Sequence, residues 1–168
     1  MSEKPEMQLF LESYDKYAEP IFRHCFFRVF SKSRAEELMQ ETFMKAWDYV
    51  SQKDGKVENM RAFLYKVANN LIIDESRKKK ELSLEDIIEE SPSLEPSSDT
   101  KIGVENKIMA RQVMEKLSEL SPEDRAVVTL RYVDDLDPKE IADVTGSNAN
   151  KVSVRLNRAL KKLGEKMR

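Results

Sequence analysis

Apolar residues recur at intervals of three and four along most of the chain, which is the spacing of one face of an α-helix. The clearest run follows Ser33-Arg34-Ala35-Glu36, a pattern that predicts a capping box at a helix N-terminus. Its apolar stripe consists of Leu38, Met39, Thr42, Phe43, Ala46, Trp47 and Val50. A second helix is predicted from about Asn59, and its inner face carries Phe63, Leu64, Val67, Ala68, Leu71 and Ile72.

The segments on either side of these two helices also carry helical patterns. Upstream, the pattern predicts two packed helices, with Pro20 near the start of the second. The apolar residues that carry this pattern are Phe10, Leu11, Tyr14, Tyr17, Ile21, Phe22, Cys25, Phe26 and Val29. Downstream, Ser121-Pro122-Glu123-Asp124 opens a helix that is predicted to run to about Val133, and Asp137-Pro138-Lys139-Glu140 opens the next. The pattern therefore predicts an all-α fold.

Composition and charge divide this helical chain into two small domains. Of the 168 residues, 36% are charged and only four are glycine, which suits helical bundles with charged surfaces. The net charge of −2 hides a segregation, because residues 81–106 carry eight acidic groups and one basic group. The same stretch holds prolines and serines and is predicted to be a flexible linker, with a short helical turn at Leu84–Ile88. We therefore expect domains at 1–80 and 105–168, joined by an acidic linker at 81–104.

The rarity of cysteine and histidine excludes several classes of function. One cysteine rules out a disulfide framework and a cysteine-based zinc site, and it is consistent with a reducing cytoplasm. His24, the single histidine, lies with Cys25 in an apolar helix and is expected to pack there. We expect no metal, no cofactor and no catalytic residue, which argues against a small helical enzyme. No run of 18 apolar residues is present, so neither a membrane span nor a signal peptide is expected.

The C-terminal segment carries the strongest local signal for DNA binding. A short helix at 138–144 precedes Thr145-Gly146, and Ser147-Asn148 can then cap a longer helix, which is the layout of a helix–turn–helix. Val152, Leu156, Ala159, Leu160 and Leu163 form the apolar face of that longer helix. The opposite face offers amides and cations, as a helix entering a groove between phosphate strands requires. An ordinary amphipathic helix with a solvated basic face is the alternative interpretation.

Two further faces are candidates for binding. The helix from Asn59 is predicted to show Arg61, Tyr65, Lys66, Asn69, Asn70 and Ile73 outward before it ends in Arg77-Lys78-Lys79-Lys80. Aromatic, amide and basic groups together suit unstacked bases, although late cations also favour the helix dipole. Glu36-Glu37 and Gln40-Glu41 form an acidic face that is either merely solvated or docks on a basic partner; without a nearby histidine, metal binding is not expected.

These segments together resemble the sigma-70 family, specifically the compact extracytoplasmic-function (ECF) group of RNA polymerase sigma factors. Residues 36–47 are similar to the family's region 2.2. Residues 62–74, with the basic residues that follow them, are similar to regions 2.3 and 2.4. Region 4 is matched by residues 120–132, 139–142 and 152–160. Some positions depart from the family's pattern: Phe63 replaces the common tryptophan, and Ser153-Val154 replaces a basic residue followed by a small one. Asn148-Ala149-Asn150 is also less apolar than the usual start of the recognition helix.

The resemblance implies a function and a set of site residues. It implies that the first domain docks on the β′ clamp helices of core RNA polymerase through Glu37, Gln40, Glu41 and Met44. It implies recognition and opening of the −10 promoter element by Lys56, Arg61, Tyr65, Lys66, Asn69, Asn70, Arg77 and Lys78. The second domain would sit on the β flap and read the −35 element with Asn150, Lys151, Ser153, Val154, Arg155, Asn157, Arg158 and Lys162.

The same resemblance implies where the linker lies and which other partner is expected, and one alternative function remains open. It implies that the acidic linker enters a channel meant for RNA, and that an anti-sigma factor is a further partner. On the recognition helix, Asn150, Val154 and Asn157 lie opposite the apolar stripe and are expected to face bases, with the cations beside them on phosphates. A stand-alone helix–turn–helix regulator is the alternative; it predicts tight operator binding without polymerase.

Overall fold

A computed structural model describes residues 5–52, 57–81 and 101–166. Within these ranges the chain is helical and contains no strand, which confirms the predicted all-α fold. The helices are α1 (Pro5–Val29), α2 (Lys32–Ser51), α3 (Met60–Glu81), α4 (Lys101–Ser118), α5 (Pro122–Val128), α6 (Pro138–Thr145) and α7 (Ala149–Lys166). A single π-helical turn, Thr129–Val133, continues α5. None of the described helices is both long enough and apolar enough to cross a lipid bilayer.

Helices α1, α2 and α3 pack on one another and form the first unit of the fold. The prediction of two helices upstream of Ser31 was wrong, because α1 is one helix of 25 residues with Pro20 inside it. Proline removes one backbone hydrogen bond from a helix interior. Here Tyr17 on one side of the proline and Ile21 on the other pack into the same core, which keeps the helix continuous.

The start of α2 differs by two residues from the prediction. Ser31, not Ser33, is the N-cap, and its Oγ accepts a hydrogen bond of 3.2 Å from the Arg34 amide. The preceding Phe30 adopts a left-handed backbone with φ of 59° and ends α1, which moves the cap toward the N-terminus. The predicted apolar stripe of α2 is confirmed, since Leu38, Phe43 and Ala46 are buried. The start of α3 is also confirmed, because Asn59 Oδ1 accepts from the Ala62 amide at 3.1 Å.

Helices α5, α6 and α7 form the second unit and contain the predicted helix–turn–helix. Asp137 and Glu140 make a complete capping box at the start of α6. Gly146 follows α6 with φ of 71°, a backbone conformation that a residue with a side chain adopts only under strain. Asn148 then accepts from the Lys151 amide at 2.9 Å and caps α7. The apolar face of α7 is narrower than predicted, because Leu160 is exposed.

The predicted linker at 81–104 falls largely on residues 82–100, and both this stretch and the proposed turn at Leu84–Ile88 lie outside the described residues. The described chain resumes as helix at Lys101, four residues earlier than the predicted start of the second domain. The two units are in contact: α3 packs on α6, while α1 touches α5 and the π turn. This contact, which the linker prediction did not include, determines which candidate residues are accessible.

Candidate polymerase and nucleic-acid interfaces

The outward face of α2 brings together the four residues assigned to polymerase docking. Glu37, Gln40, Glu41 and Met44 follow at helical spacing, and all four are exposed. Met44 is the clearest case, since 68% of its surface is open to solvent. An exposed methionine flanked by carboxylates provides an adaptable apolar contact that is surrounded by negative charge.

Glu37 is held in place by its own helix. Its carboxylate pairs with the Arg34 guanidinium at 2.6 Å, and Arg34 also donates to Glu75 of α3. In the described part of the chain, no group of three or more histidine, cysteine or acidic side chains could hold a metal ion.

Helix α3 presents two faces, and the predicted DNA-contacting residues divide between them. Lys66, Asn70 and Arg77 are exposed together with Ile73 and form one stripe. Tyr65 and Asn69 were expected on the same outer face, but each is only 2% exposed. Their predicted outward placement was wrong, because the stripe that contains them packs against α1 and the second unit. Lys56 and the side chain of Lys78 lie outside the described residues.

Tyr65 is buried between the two units. Its hydroxyl donates to Oδ1 of Asp134 at 3.3 Å, and its ring meets the His24 ring edge to face at 5.4 Å. Burial and the neighbouring Asp134 carboxylate raise the pKa of the Tyr65 phenol. Arg61, one turn earlier on α3, is half-buried and donates to the backbone oxygen of Asp134 at 2.5 Å. Arg61 and Tyr65 therefore face protein in this arrangement.

Asn69 is buried against α1. Its Oδ1 accepts a hydrogen bond of 2.9 Å from Arg28, a residue that the sequence analysis did not single out. Burial lowers the pKa of the Arg28 guanidinium to about 10, so the group remains charged at neutral pH. His24 is fully buried, as expected, but its partners could not be predicted: Asp134 lies 110 residues away in sequence.

The outward face of α7 carries the residues assigned to base reading. Asn150, Val154 and Asn157 are exposed and lie opposite the buried Val152, Leu156 and Ala159. Ser153, also assigned to the −35 contact, is partly buried at the side of the helix. The reading face is thus an amide-and-methyl surface suited to base edges.

The cations of α7 fall into two groups. Arg155 and Lys162 pair with the two carboxylate oxygens of Asp124 at 3.1 and 3.3 Å. Asp124 itself is buried at the start of α5, where Ser121 Oγ accepts a hydrogen bond from its amide. Lys151 and Arg158 are exposed, and neither makes an ion pair within the described residues. Helical spacing gives no reason to separate these four cations, whereas in the described part of the chain only Lys151 and Arg158 are without an ion pair.

A cleft of about 860 Å³ lies between the exposed stripe of α3 and the reading face of α7. Ile73 and Arg77 line one wall, and Val154, Arg158 and Lys151 line the other. In this arrangement the two faces assigned to promoter DNA are turned toward each other.

Comparison with protein-family models identifies both units. Residues 13–81 match the model of sigma-70 region 2, and residues 110–163 match that of sigma-70 region 4. The ECF RNA polymerase sigma factor SigM of Bacillus subtilis is 31% identical over 156 residues, covering 90% of this chain and 93% of its own. SigL of Mycobacterium tuberculosis is 28% identical, with coverage of 94% and 88%. BldN of Streptomyces coelicolor is 26% identical over 94% of this chain, which spans only 60% of that relative.

Solved structures share the fold. The sigma factor RpoE from Bartonella quintana, in complex with the anti-sigma factor NepR, aligns with a TM-score of 0.73 at 19% identity over 93% of this chain and 94% of its own. CnrH, in complex with the cytosolic domain of CnrY, aligns with a TM-score of 0.67 at 19% identity over 96% and 88%. The chain therefore belongs to the sigma-70 family and, within it, to the ECF group of RNA polymerase sigma factors. Family membership supports promoter-directed transcription initiation and does not favour a stand-alone helix–turn–helix regulator.

Proposed function

We propose that this chain is a specificity subunit that binds core RNA polymerase and directs it to promoters, where it recognises −10 and −35 elements and helps to open the DNA. The observation that supports the proposal is that α3 and α7 each expose amide and basic side chains, while α2 exposes Met44 among carboxylates, in two units that match sigma-70 regions 2 and 4. A stand-alone regulator would need no docking face, and an enzyme would need catalytic groups. The proposed role is therefore non-enzymatic and cytoplasmic.

In the first unit, the α2 face supports docking on the β′ clamp helices. Glu37 and Glu41 supply charge, while Met44 supplies apolar contact area. The −10 element would be bound by α3, where Asn70 and Lys66 are already exposed and Arg77 extends the basic stripe. Tyr65 and Asn69 would join this surface once they become accessible, and Arg61, Lys56 and Lys78 complete the assignment.

In the second unit, α7 would lie in the major groove of the −35 element while the unit sits on the β flap. Asn150, Val154 and Asn157 would meet base edges. Lys151 and Arg158 would meet phosphates directly, since they are unpaired within the described chain. Arg155 and Lys162 can reach phosphates only by sharing or leaving Asp124.

An anti-sigma factor is the second partner of this proposal. The support is the likeness to RpoE, whose structure contains the anti-sigma factor NepR, and to CnrH, whose structure contains the cytosolic domain of CnrY. The cleft between α3 and α7 is where such a protein would block both DNA-binding faces together.

The test is transcription of fragmented genomic DNA by purified core polymerase, with and without this protein, followed by sequencing of transcript 5′ ends. We expect a small set of start sites that appear only with the protein and that share two elements at fixed spacing. An unchanged set of start sites, with the protein helical and core binding measured as absent, would contradict the proposal.

A further inference from the structure

A buried polar network joins the two units through Asp134, the residue that follows the π turn. Asp134 is 5% exposed, and its carboxylate accepts a 2.6 Å hydrogen bond from His24 Nδ1 and a 3.3 Å bond from the Tyr65 hydroxyl. Both partners belong to the first unit. Within the described residues, the Asp134 side chain bonds to no residue of its own unit, so its hydrogen bonds stabilise the contact rather than the fold of the second unit.

The first unit supplies a matching second layer of groups. Arg28 Nη1 lies 3.3 Å from His24 Nε2 and donates to Asn69 Oδ1 at 2.9 Å. Because a guanidinium only donates, Nε2 of His24 must accept, and the proton of the ring is then on Nδ1, facing Asp134. In this series of hydrogen bonds, from Arg28 through His24 to Asp134, each donor therefore faces an acceptor.

The edges of the contact are also polar and complementary. On one side, Arg61 donates to the backbone oxygen of Asp134 and pairs with Glu140 of α6 at 3.3 Å. On the other, Arg125 of α5 donates to the backbone oxygen of Arg28 at 3.3 Å and lies over the Phe30 ring at 4.9 Å. The second unit thus covers Arg61 and Tyr65 of α3, whereas Asn69 is held by Arg28 of its own unit.

We propose that the second unit is an intramolecular plug on the −10-binding face of the first, and that Asp134 holds it in place. The proposal rests on the assignment of Tyr65 and Arg61 to −10 DNA under the proposed function. While Asp134 bonds His24 and Tyr65, the Tyr65 and Arg61 side chains contact protein and cannot receive an unstacked base. The polymerase-docking face of α2 lies outside this contact and remains exposed.

The chemistry of the contact suits a reversible plug. Burying Arg28 and Asp134 removes two charges from water, and this desolvation offsets much of their favourable interaction. On opening, water replaces each lost hydrogen bond, so the open state is accessible in the presence of a competing partner. Docking on core polymerase through α2 can therefore precede opening, and exposure of the −10 face follows when the second unit is drawn to its own site on the polymerase.

The first experiment measures opening of the free protein by small-angle X-ray scattering. Asp134→Ala removes the acceptor of His24 and Tyr65, and we expect the radius of gyration to rise by several ångströms while circular dichroism shows unchanged helical content. Asp143→Ala is the matched control, because Asp143 is an exposed aspartate of α6 outside the contact. If Asp134→Ala lowers helical content, Asp134→Asn, which keeps the side-chain volume, replaces it. Equal radii for wild type and both variants would overturn the proposal.

The second experiment measures access to the −10 face. The probe is a fluorescent single-stranded oligonucleotide with the non-template −10 sequence of a promoter found in the genomic transcription assay. Asp134→Ala should bind it roughly tenfold or more tightly than wild type, because the binding-competent population rises, while Asp143→Ala should equal wild type. Equal binding by all three proteins would contradict the proposal that the second unit covers the −10 face, even if the protein still directs transcription. Failure to find any promoter would contradict the proposed function instead, and the scattering result would still decide whether Asp134 holds the two units together.

Discussion

Asn69 accepts a hydrogen bond of 2.9 Å from Arg28, whereas the next residue, Asn70, faces solvent on the other side of α3. In this adjacent pair, one amide is buried in the free protein and the other is already available to DNA. Asn69→Ala should lower the free energy of unfolding by about 1–3 kcal/mol, since it removes the closer of two acceptors of the buried Arg28 guanidinium. Asn70→Ala should leave the melting temperature unchanged.

The exposed member of the pair, Asn70, should act in promoter opening. Asn70→Ala should impair opening more than initial −35 binding, because contacts to one unstacked base are worth roughly 1–3 kcal/mol. The measurement is permanganate reactivity of thymines in the −10 element with the reconstituted holoenzyme. Wild-type reactivity in Asn70→Ala would count against the assignment of this residue.

The docking face of α2 should be separable from the fold. Reversing Glu37 and Glu41 to lysine should weaken core binding roughly tenfold or more, because like charges across an interface are costly. Loss of the half-exposed pair between Arg34 and Glu37 should cost little stability. The measurement is the affinity of labelled protein for purified core.

Reversal of Glu12 and Asp15, two exposed acidic residues of α1, is the charge-matched control. It should leave core affinity at the wild-type value. If both double reversals weaken binding equally, the effect is one of net charge and the α2 assignment is wrong.

On α7, the neighbours Asn157 and Arg158 are assigned opposite roles. Arg158→Ala should weaken binding to every sequence alike and flatten the salt dependence by roughly 0.9. Asn157→Ala should cost on the order of 1–3 kcal/mol on the preferred −35 duplex and much less on a scrambled one. Affinities of holoenzyme for both duplexes at several salt concentrations distinguish the two. A relaxed sequence preference in Arg158→Ala would mean that the helix is oriented differently in the groove.

The buried thiol of Cys25 gives a pH dependence that can be measured without DNA. Burial raises the pKa of this thiol to about 12, whereas in the unfolded chain it ionises near its ordinary value. Above pH 9 the thiol therefore ionises in the unfolded state but not in the native state. This ionisation lowers the free energy of unfolding by about 1.4 kcal/mol per pH unit. The buried neutral thiol thus makes its full contribution to the free energy of unfolding below pH 9, and this contribution is lost as the pH rises toward 12.

Urea unfolding between pH 8.5 and 10.5 checks this slope. Cys25→Ala should be less stable than the wild type below pH 9, because it removes a buried side chain, but it should lose stability less steeply above pH 9. Parallel slopes for the two proteins would show that the thiol is not the group responsible.

Local patterns in the sequence predicted the helices well and the contact between units not at all. The Asp137–Glu140 capping box, Gly146 and the apolar stripe of α7 act within a few residues, so they can be recognised from spacing. Burial of Tyr65 depends on Asp134, 69 residues later, and no periodicity on α3 reports that partner. Amphipathic spacing identified Asn70 correctly as exposed but could not exclude that a neighbouring face is covered by another unit.

The most direct test of the central claim is run-off transcription from one promoter found in the genomic assay, with core polymerase and this protein each present or omitted. We expect a transcript only when both are present, and we expect it to be lost when either the −10 or the −35 element is replaced. Strong binding of the protein alone to the duplex, with a transcript that depends on neither the protein nor the two elements, would contradict it.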